Sequence, residues 1–292
     1  NPNAGTGKLV NISGLTLTGA EMGNYTLTQP TRSANISKRP ITVTAGTETR
    51  VYNGNNSSGV TPTITAGALQ GADTAAWHQT FNNKNVGVGK VLTPSGTVSD
   101  GNGGANYTVT FVNVATGVIT KKPISVFAEP DTKVYDGSTS SAGIPLITPG
   151  LVGSDTSGFI QTFDTKNIGT AKIITASGKV NDGNNGLNYN VAFFTDSTGV
   201  ITAKALTVSA AGLTPANKVY NGSANAALTI GSPSLVGVVV PDVVNLVTSG
   251  VHAAFVDRNA GFGKLVNISG LTISGAGAGN YTLTQPTRTA NI

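Results

Sequence analysis

The chain repeats itself, and nothing else in its sequence restricts the possible folds so strongly. Lys133-Val134-Tyr135-Asp136-Gly137 recurs as Arg50-Val51-Tyr52-Asn53-Gly54 and as Lys218-Val219-Tyr220-Asn221-Gly222, so the tyrosines stand 83 and 85 residues apart. A second marker, Asn-Tyr, falls at Asn24-Tyr25, Asn106-Tyr107, Asn188-Tyr189 and Asn280-Tyr281, with spacings of 82, 82 and 92. A third is Phe81-x-x-Lys84-Asn85-x-Gly87, matched by Phe163, Lys166, Asn167 and Gly169 and then by Phe255, Arg258, Asn259 and Gly261. The markers keep one order and one period. They parse the 292 residues as the second half of a repeat (1–39) followed by three full repeats, 40–122, 123–204 and 205–292. Gly7 to Ile36 is also identical to Gly263 to Ile292 at 25 of 30 positions, an offset of 256 residues that reads as a window onto a longer array with a three-repeat super-period.

Within each repeat the hydrophobic pattern has period two. Ile41-Thr42-Val43-Thr44, Leu206-Thr207-Val208-Ser209 and Tyr107-Thr108-Val109-Thr110-Phe111 alternate apolar with small polar residues, the signature of half-buried strands. No helical stripe exceeds a turn or two; Asp73, Asp155 and Asp242 are placed to cap the one short helix expected per repeat. Asn53-Gly54, Asp136-Gly137 and Asn221-Gly222 are pairs suited to tight hairpin turns, with Tyr52, Tyr135 and Tyr220 anchoring the strand before each. These features predict an all-β chain, a tandem array of small antiparallel domains, each a β-sandwich or a β-grasp-like sheet. The junctions are short. Thr120-Lys121-Lys122-Pro123-Ile124 and Ser37-Lys38-Arg39-Pro40-Ile41 carry no Gly/Ser linker, and proline restricts φ. At about 3.3 Å per strand residue, end-to-end stacking predicts a rod on the order of 100–150 Å long.

Composition excludes several functions. Eighteen Lys and Arg against thirteen Asp and Glu give +5, distributed singly or in pairs, which does not indicate nucleic-acid binding. No run approaches the roughly eighteen apolar residues of a membrane helix, since Leu235 to Val247 is broken by Pro241 and Asp242, so the chain is not expected to be membrane-embedded. The absence of cysteine rules out disulfides and thiolate metal sites. Hydrophobic residues at 38 % suffice for real cores, and the N-terminal residues carry neither a basic nor an apolar leader pattern, as expected of a piece of something longer.

Few residues offer chemistry. His78 and His252 lie in different repeats without a matching acid or nucleophile elbow, so no catalytic residue and no cofactor is expected. Asp100 with Asn102 and Asp182 with Asn184 alternate oxygen ligands with glycine like fragments of a Ca²⁺ loop, but they lack a bidentate glutamate; the plainer reading is an Asx/Gly loop before the Asn-Tyr strand. Lys8, Lys90, Lys172 and Lys264 each precede an Asn-Tyr asparagine by 16 residues, a spacing open to an isopeptide bond or, more simply, to lysine stems packed over the sheet. Trp77, the single tryptophan, and His78 are the candidates for a ligand-contacting cluster, against a core or edge role for the indole.

Val134-Tyr135-Asp136-Gly137, Phe163-x-x-Lys166-Asn167-x-Gly169, Asn188-Tyr189 and the closing Gly199-Val200-Ile201-Thr202 resemble the YDG domain and the similar MBG domains. These occur in tandem in large bacterial adhesins of the filamentous-haemagglutinin type. Gly263 to Val266 and Leu271 to Leu283 are similar to the family's most characteristic stretch, and the resemblance covers essentially the whole chain. Asn53 and Asn221 stand where the family has aspartate, and suit the turn equally well. The resemblance implies export by two-partner secretion, a place at the cell surface, and a role in adhesion or biofilm formation. The expected function is therefore a stalk segment, monomeric, whose partners are its own neighbouring repeats. The alternative is that the repeats themselves bind a glycan or a matrix protein.

Overall fold

The computed structural model describes residues 1–292, and its elements are β-strands with two single-turn 3₁₀ helices, Met22–Asn24 and Ala278–Asn280. No helix is long and apolar enough to cross a membrane. The all-β expectation holds and the repeats share one plan. In the first, a three-stranded sheet is ordered Thr63–Ala66, Arg39–Thr44, Tyr107–Val112; a four-stranded sheet is ordered Thr49–Val51, Val114–Thr120, Gly87–Ser99, Thr74–Phe81. The second repeats both orders, with Leu146–Thr148, Lys122–Phe127, Tyr189–Phe194 and then Thr132–Val134, Asp196–Thr202, Gly169–Asn181, Thr156–Phe163. Alternation sends one side-chain set inward, so Ile41, Val98 and Tyr107 from the two sheets meet in one core, with Ile64 and Trp77 against them.

Pairing is not purely antiparallel. Arg39–Thr44 runs parallel to Tyr107–Val112 and Thr49–Val51 parallel to Val114–Thr120, so each repeat's opening strands lie beside its closing ones. This alters the reading of the Tyr-Asx-Gly turn. It joins no hairpin: the strand before it pairs with Val114–Thr120, while Ser57 beyond it bridges Thr80. The short helix expected after Asp73, Asp155 and Asp242 is likewise absent. Strands Thr74–Phe81 and Thr156–Phe163 follow directly, and the N–H of each aspartate closes a turn on Gln70, Val152 or Val239. Such a residue satisfies a turn as readily as a helix cap.

The third repeat breaks the long strands. Gly270-Leu271 interrupts the equivalent of Gly87–Ser99 into Lys264–Ser269 and Thr272–Ser274, which pair with His252–Phe255 and Asn245–Val247. Its core gathers Val208, Leu213 and Phe255 from the first half with Val266, Ile268 and Leu271 from the second. Residues 1–39 form the two-stranded pair Gly5–Asn11 and Thr31–Ile36, whose residues are exposed or half-buried.

The chain resolves into two compact units that do not follow repeat boundaries. One holds Asn1–Pro123, Leu151–Thr156 and Val180–Asn190; the other holds Ile124–Gly150, Ser157–Lys179 and Val191–Ile292. Two turn segments of the second repeat thus cluster with the first.

Candidate functional site: the junctions between repeats

The recurrent sequence markers converge where one repeat meets the next. In the first unit, Tyr52 Oη donates to Asp155 Oδ2 at 3.0 Å and Tyr189 Oη to the same oxygen at 2.7 Å. The two rings meet edge-on with centroids 5.5 Å apart. Lys84 Nζ stands 3.9 Å from Asp155 Oδ1, and the Val152 N–H donates to Tyr189 Oη at 2.9 Å. In the second unit the arrangement recurs: Tyr135 and Tyr281 each donate to Asp242 Oδ2 at 2.7 Å, Lys166 Nζ lies 3.3 Å from Asp242 Oδ1, and Val239 N–H donates to Tyr281 at 3.0 Å. Each junction therefore takes a tyrosine and a lysine from one repeat, an aspartate and a tyrosine from the next.

Burial without loss of partners makes these contacts strong. Desolvation, reinforced by the bond to Asp155, pushes the Tyr52 hydroxyl up to about 12 and raises Tyr189 as well. Burial and Asp242 do the same to Tyr281, also at about 12, and raise Tyr135. The bonds from Tyr135 and Tyr281 in turn hold the Asp242 carboxyl below its ordinary value.

A second clasp lies beside each tyrosine pair. Asn188 is fully buried; its Oδ1 accepts the Val86 N–H at 2.9 Å and its Nδ2 donates to Asn85 Oδ1 at 3.2 Å. Asn280 treats Ile168 and Asn167 identically, at 3.1 Å each, and Asn106 treats Ala4 and Asn3 likewise, at 2.8 and 3.3 Å. The dipeptide Asn-Tyr thus sends its asparagine to the Lys-Asn-x-Gly loop of the preceding repeat and its tyrosine to the aspartate of its own repeat, where the preceding repeat's turn tyrosine also bonds.

The turn motifs supply the other side. Gly54 and Gly137 adopt φ of +83° and +81°, and a Cβ on Gly137 would lie 2.7 Å from Val239 Cγ1 of the next repeat, so glycine is required there for conformation and approach together. Asp136 Oδ1 accepts the Ser138 N–H and Lys133 Nζ, both at 2.8 Å. Burial pulls that carboxyl upward, but Lys133 and Ser138 outweigh it and hold it at about 2. Asn53 and Asn221 accept from Asn55 and Ser223 in the same Asx geometry. The basic residue two positions before each tyrosine covers the Phe of the third marker: Arg50 over Phe81 at 4.8 Å, Lys133 over Phe163 and Lys218 over Phe255 at 5.5 Å. Gly222 also has a positive φ, but Tyr220 is largely exposed.

The other singled-out residues fall elsewhere. Asp100 accepts backbone N–H bonds from Asn102 and Gly104 on Oδ1 and from Asn106 on Oδ2; Asp182 does so from Asn184, Gly186 and Asn188. Burial opposes ionisation, yet these three donors bring both carboxyls below their ordinary value. Asn102 and Asn184 donate to Asn106 and Asn188 at 3.1 and 3.0 Å, so these loops hold the clasp asparagines in place. The lysines and asparagines 16 residues apart serve separate contacts: Lys172 pairs with Asp164 at 2.9 Å and Lys264 with Asp257 at 2.5 Å, while Lys90 bonds Asn83 and Lys8 bonds Asn1. Trp77 packs edge-on against Phe111 at 5.8 Å, as Phe159 does against Phe193 at 5.7 Å. His78 is exposed and, as the next residue along the strand, points to the opposite face, so the two do not form a cluster.

Sequence reasoning passed over Gln79 and Gln161, both buried. Gln79 bonds the N–H and C=O of Gly46 at 2.8 Å each, and Gln161 those of Glu129 at 2.8 Å. The shared Gln-Thr-Phe at offset 82 was the available signal.

No curated protein matches the chain. A family model described as the YDG domain matches residues 1–33, 37–116, 120–199 and 202–290, nearly the whole sequence in four tandem segments. On these matches, and with Tyr-Asx-Gly turns built into two successive junctions, the chain belongs to the YDG domain family.

Proposed function

We propose that this chain is a non-enzymatic stalk segment of a large secreted bacterial surface adhesin, supporting adhesion or biofilm formation by holding a binding region away from the cell. One observation carries this reading: the residues that recur from repeat to repeat are engaged in joining one repeat to the next. A protein selected to bind or transform a small molecule would show its recurrent polar groups unengaged around a cavity. At the Asp155 and Asp242 junctions the aspartate, tyrosines and asparagines bond one another. Two clasps at successive junctions limit bending, which suits a spacer.

The test is a binding screen of the purified chain against glycans, matrix proteins and whole cells at two salt concentrations. Salt separates specific binding from weak attraction to a +5 chain, which is screened within about 10 Å at 0.1 M. The expected result is no saturable, salt-resistant binding at micromolar concentration. Saturable binding lost on Trp77→Ala would overturn the stalk and make repeat 40–122 a binding module.

A further inference from the structure

The first two full repeats are entered and left by strands that lie side by side. In repeat 40–122 the chain comes in through Arg39–Thr44 and Thr49–Val51 and goes out through Tyr107–Val112 and Val114–Thr120. The two paths run parallel and in step: Arg39 faces Tyr107, Thr44 faces Val112, Thr49 faces Val118 and Val51 faces Thr120. Backbone bonds hold them from end to end. Arg39 N–H donates to Asn106 O at 2.8 Å, Ala45 N–H to Val112 O at 3.0 Å, Val118 N–H to Glu48 O at 2.9 Å and Tyr52 N–H to Thr120 O at 2.9 Å. Repeat 123–204 is built alike. Ala128 N–H donates to Phe194 O and Tyr135 N–H to Thr202 O, and Thr132–Val134 runs parallel to Val200–Thr202.

Parallel pairing fixes where the ends fall. Arg39 and Tyr107 lie at one end of the pairing, Val51 and Thr120 at the other. Contacts with the neighbouring repeats mark the same two ends: Asn106 bonds Asn3 and Ala4 of the preceding repeat, and Tyr52 bonds Asp155 of the following one. Tension along the chain therefore enters at residue 39 and leaves at residue 120, at opposite ends of two paired paths. It slides one path along the other, so the bonds between them share the load and must fail together. Antiparallel paths would have placed entry and exit at one end, where the same bonds open one at a time.

The turn tyrosine belongs to this pairing and to the junction at once. The Tyr52 N–H closes the last bond of the paired paths while its hydroxyl reaches Asp155 at 3.0 Å. Tyr135 does the same with Thr202 and Asp242.

We propose that the parallel pairing of opening and closing strands is a load-bearing clamp, by which repeats 40–122 and 123–204 resist tension along the chain far better than tension across it. The recurrent tyrosine couples each clamp to the repeat that follows. Use of the clamp in the cell rests on the stalk reading. The clamp itself is a matter of strand geometry, so force tests it, whereas the binding screen tests the stalk.

The chain has no cysteine, so thiols introduced in pairs give unique handles for single-molecule pulling of the full-length protein. Lys38→Cys with Lys121→Cys loads repeat 40–122 along the chain. Lys38→Cys with Ala105→Cys loads the same strands from one end. All three residues are exposed, so both variants keep the fold, and equal urea midpoints check this. At one pulling rate the first pair is expected to need at least about twofold more force, since several bonds of similar strength fail together in place of one. Ala45→Pro removes one donor of the clamp and should lower the force for the first pair only, because peeling starts at the Arg39 end. If circular dichroism shows that Ala45→Pro does not fold, the two handle pairs decide alone. Equal forces for the two pairs, or a larger force for the second, overturn the proposal. A folded Ala45→Pro chain that withstands an unchanged force along the chain overturns it as well. High force along the chain together with saturable binding in the screen would uphold the clamp and overturn the stalk.

Discussion

Asp155 shows how much a single residue contributes here. Its side chain is almost wholly buried, one oxygen accepts two phenolic hydroxyls, and the other faces Lys84. Asp155→Ala would strand two buried hydroxyls at about 1–3 kcal/mol each, so a loss of about 2–6 kcal/mol in urea unfolding is expected. Tyr135→Phe removes one bond to a charged acceptor and should cost less, about 1.5–3 kcal/mol. The tyrosines also set an alkaline limit. The neutral phenols are favoured in the folded state, so the stability they contribute is complete below the ordinary value of 10.0 and is lost as pH rises towards about 12, where Tyr52 and Tyr281 titrate. Phenolate absorbance should show five of the seven tyrosines titrating above the ordinary value, and the denaturation midpoint should fall across the same interval. At the acid end the sign reverses. Asp136 contributes fully above 3.8, and its contribution is lost as pH falls towards about 2.

At the scale of elements, the long hairpin of each repeat depends on one glycine. Gly96, Gly178 and Gly270 have φ of +142°, +121° and +81°, and a Cβ on any of them would lie 2.1–2.3 Å from a carbonyl oxygen of the facing segment, Ala76, Gly158 or Gly250. Gly178→Ala is therefore expected to destabilise by about 1–3 kcal/mol from backbone strain alone, with the clash added. Thermal unfolding of that variant beside Gly183→Ala, which has positive φ but open space, separates the two contributions. The strands were legible from alternation at Ile41-Thr42-Val43-Thr44 and its relatives. Their partners were not, because period two fixes which face a residue occupies and says nothing about which strand lies alongside. Hence Tyr52-Asn53-Gly54 read as a hairpin although the strand before it pairs, in parallel, with one some 70 residues away.

For the whole molecule, the compact units cut across the repeats, and this has a thermodynamic consequence. Segments 151–156 and 180–190 belong with the first repeat because Asp155, Asn188 and Tyr189 bond to Tyr52, Asn85 and Val86. Stability in such an array is a sum of repeat terms and nearest-neighbour terms. Asn188→Ala, which leaves the amide of Val86 without its acceptor, should therefore raise hydrogen exchange in repeat 40–122 as well as in its own repeat, although its sequence lies in 123–204.

The sequence by itself determined the all-β class, the number and period of the repeats, the membership of the family and which residues form the recurrent markers. Each of these rests on a pattern carried along the chain: alternation, recurrence, or turn chemistry at a fixed offset. Only the tertiary structure decided what those residues do. Tyr52 and Asp155 are 103 positions apart, and the markers recur in every repeat, so a periodic sequence reads the same whether a tyrosine meets the aspartate of its own repeat or of the next. The parallel pairing of opening and closing strands carries the Tyr-Asx-Gly turn to the end where the following repeat begins. That placement, a property of the packed chain, makes the markers a junction.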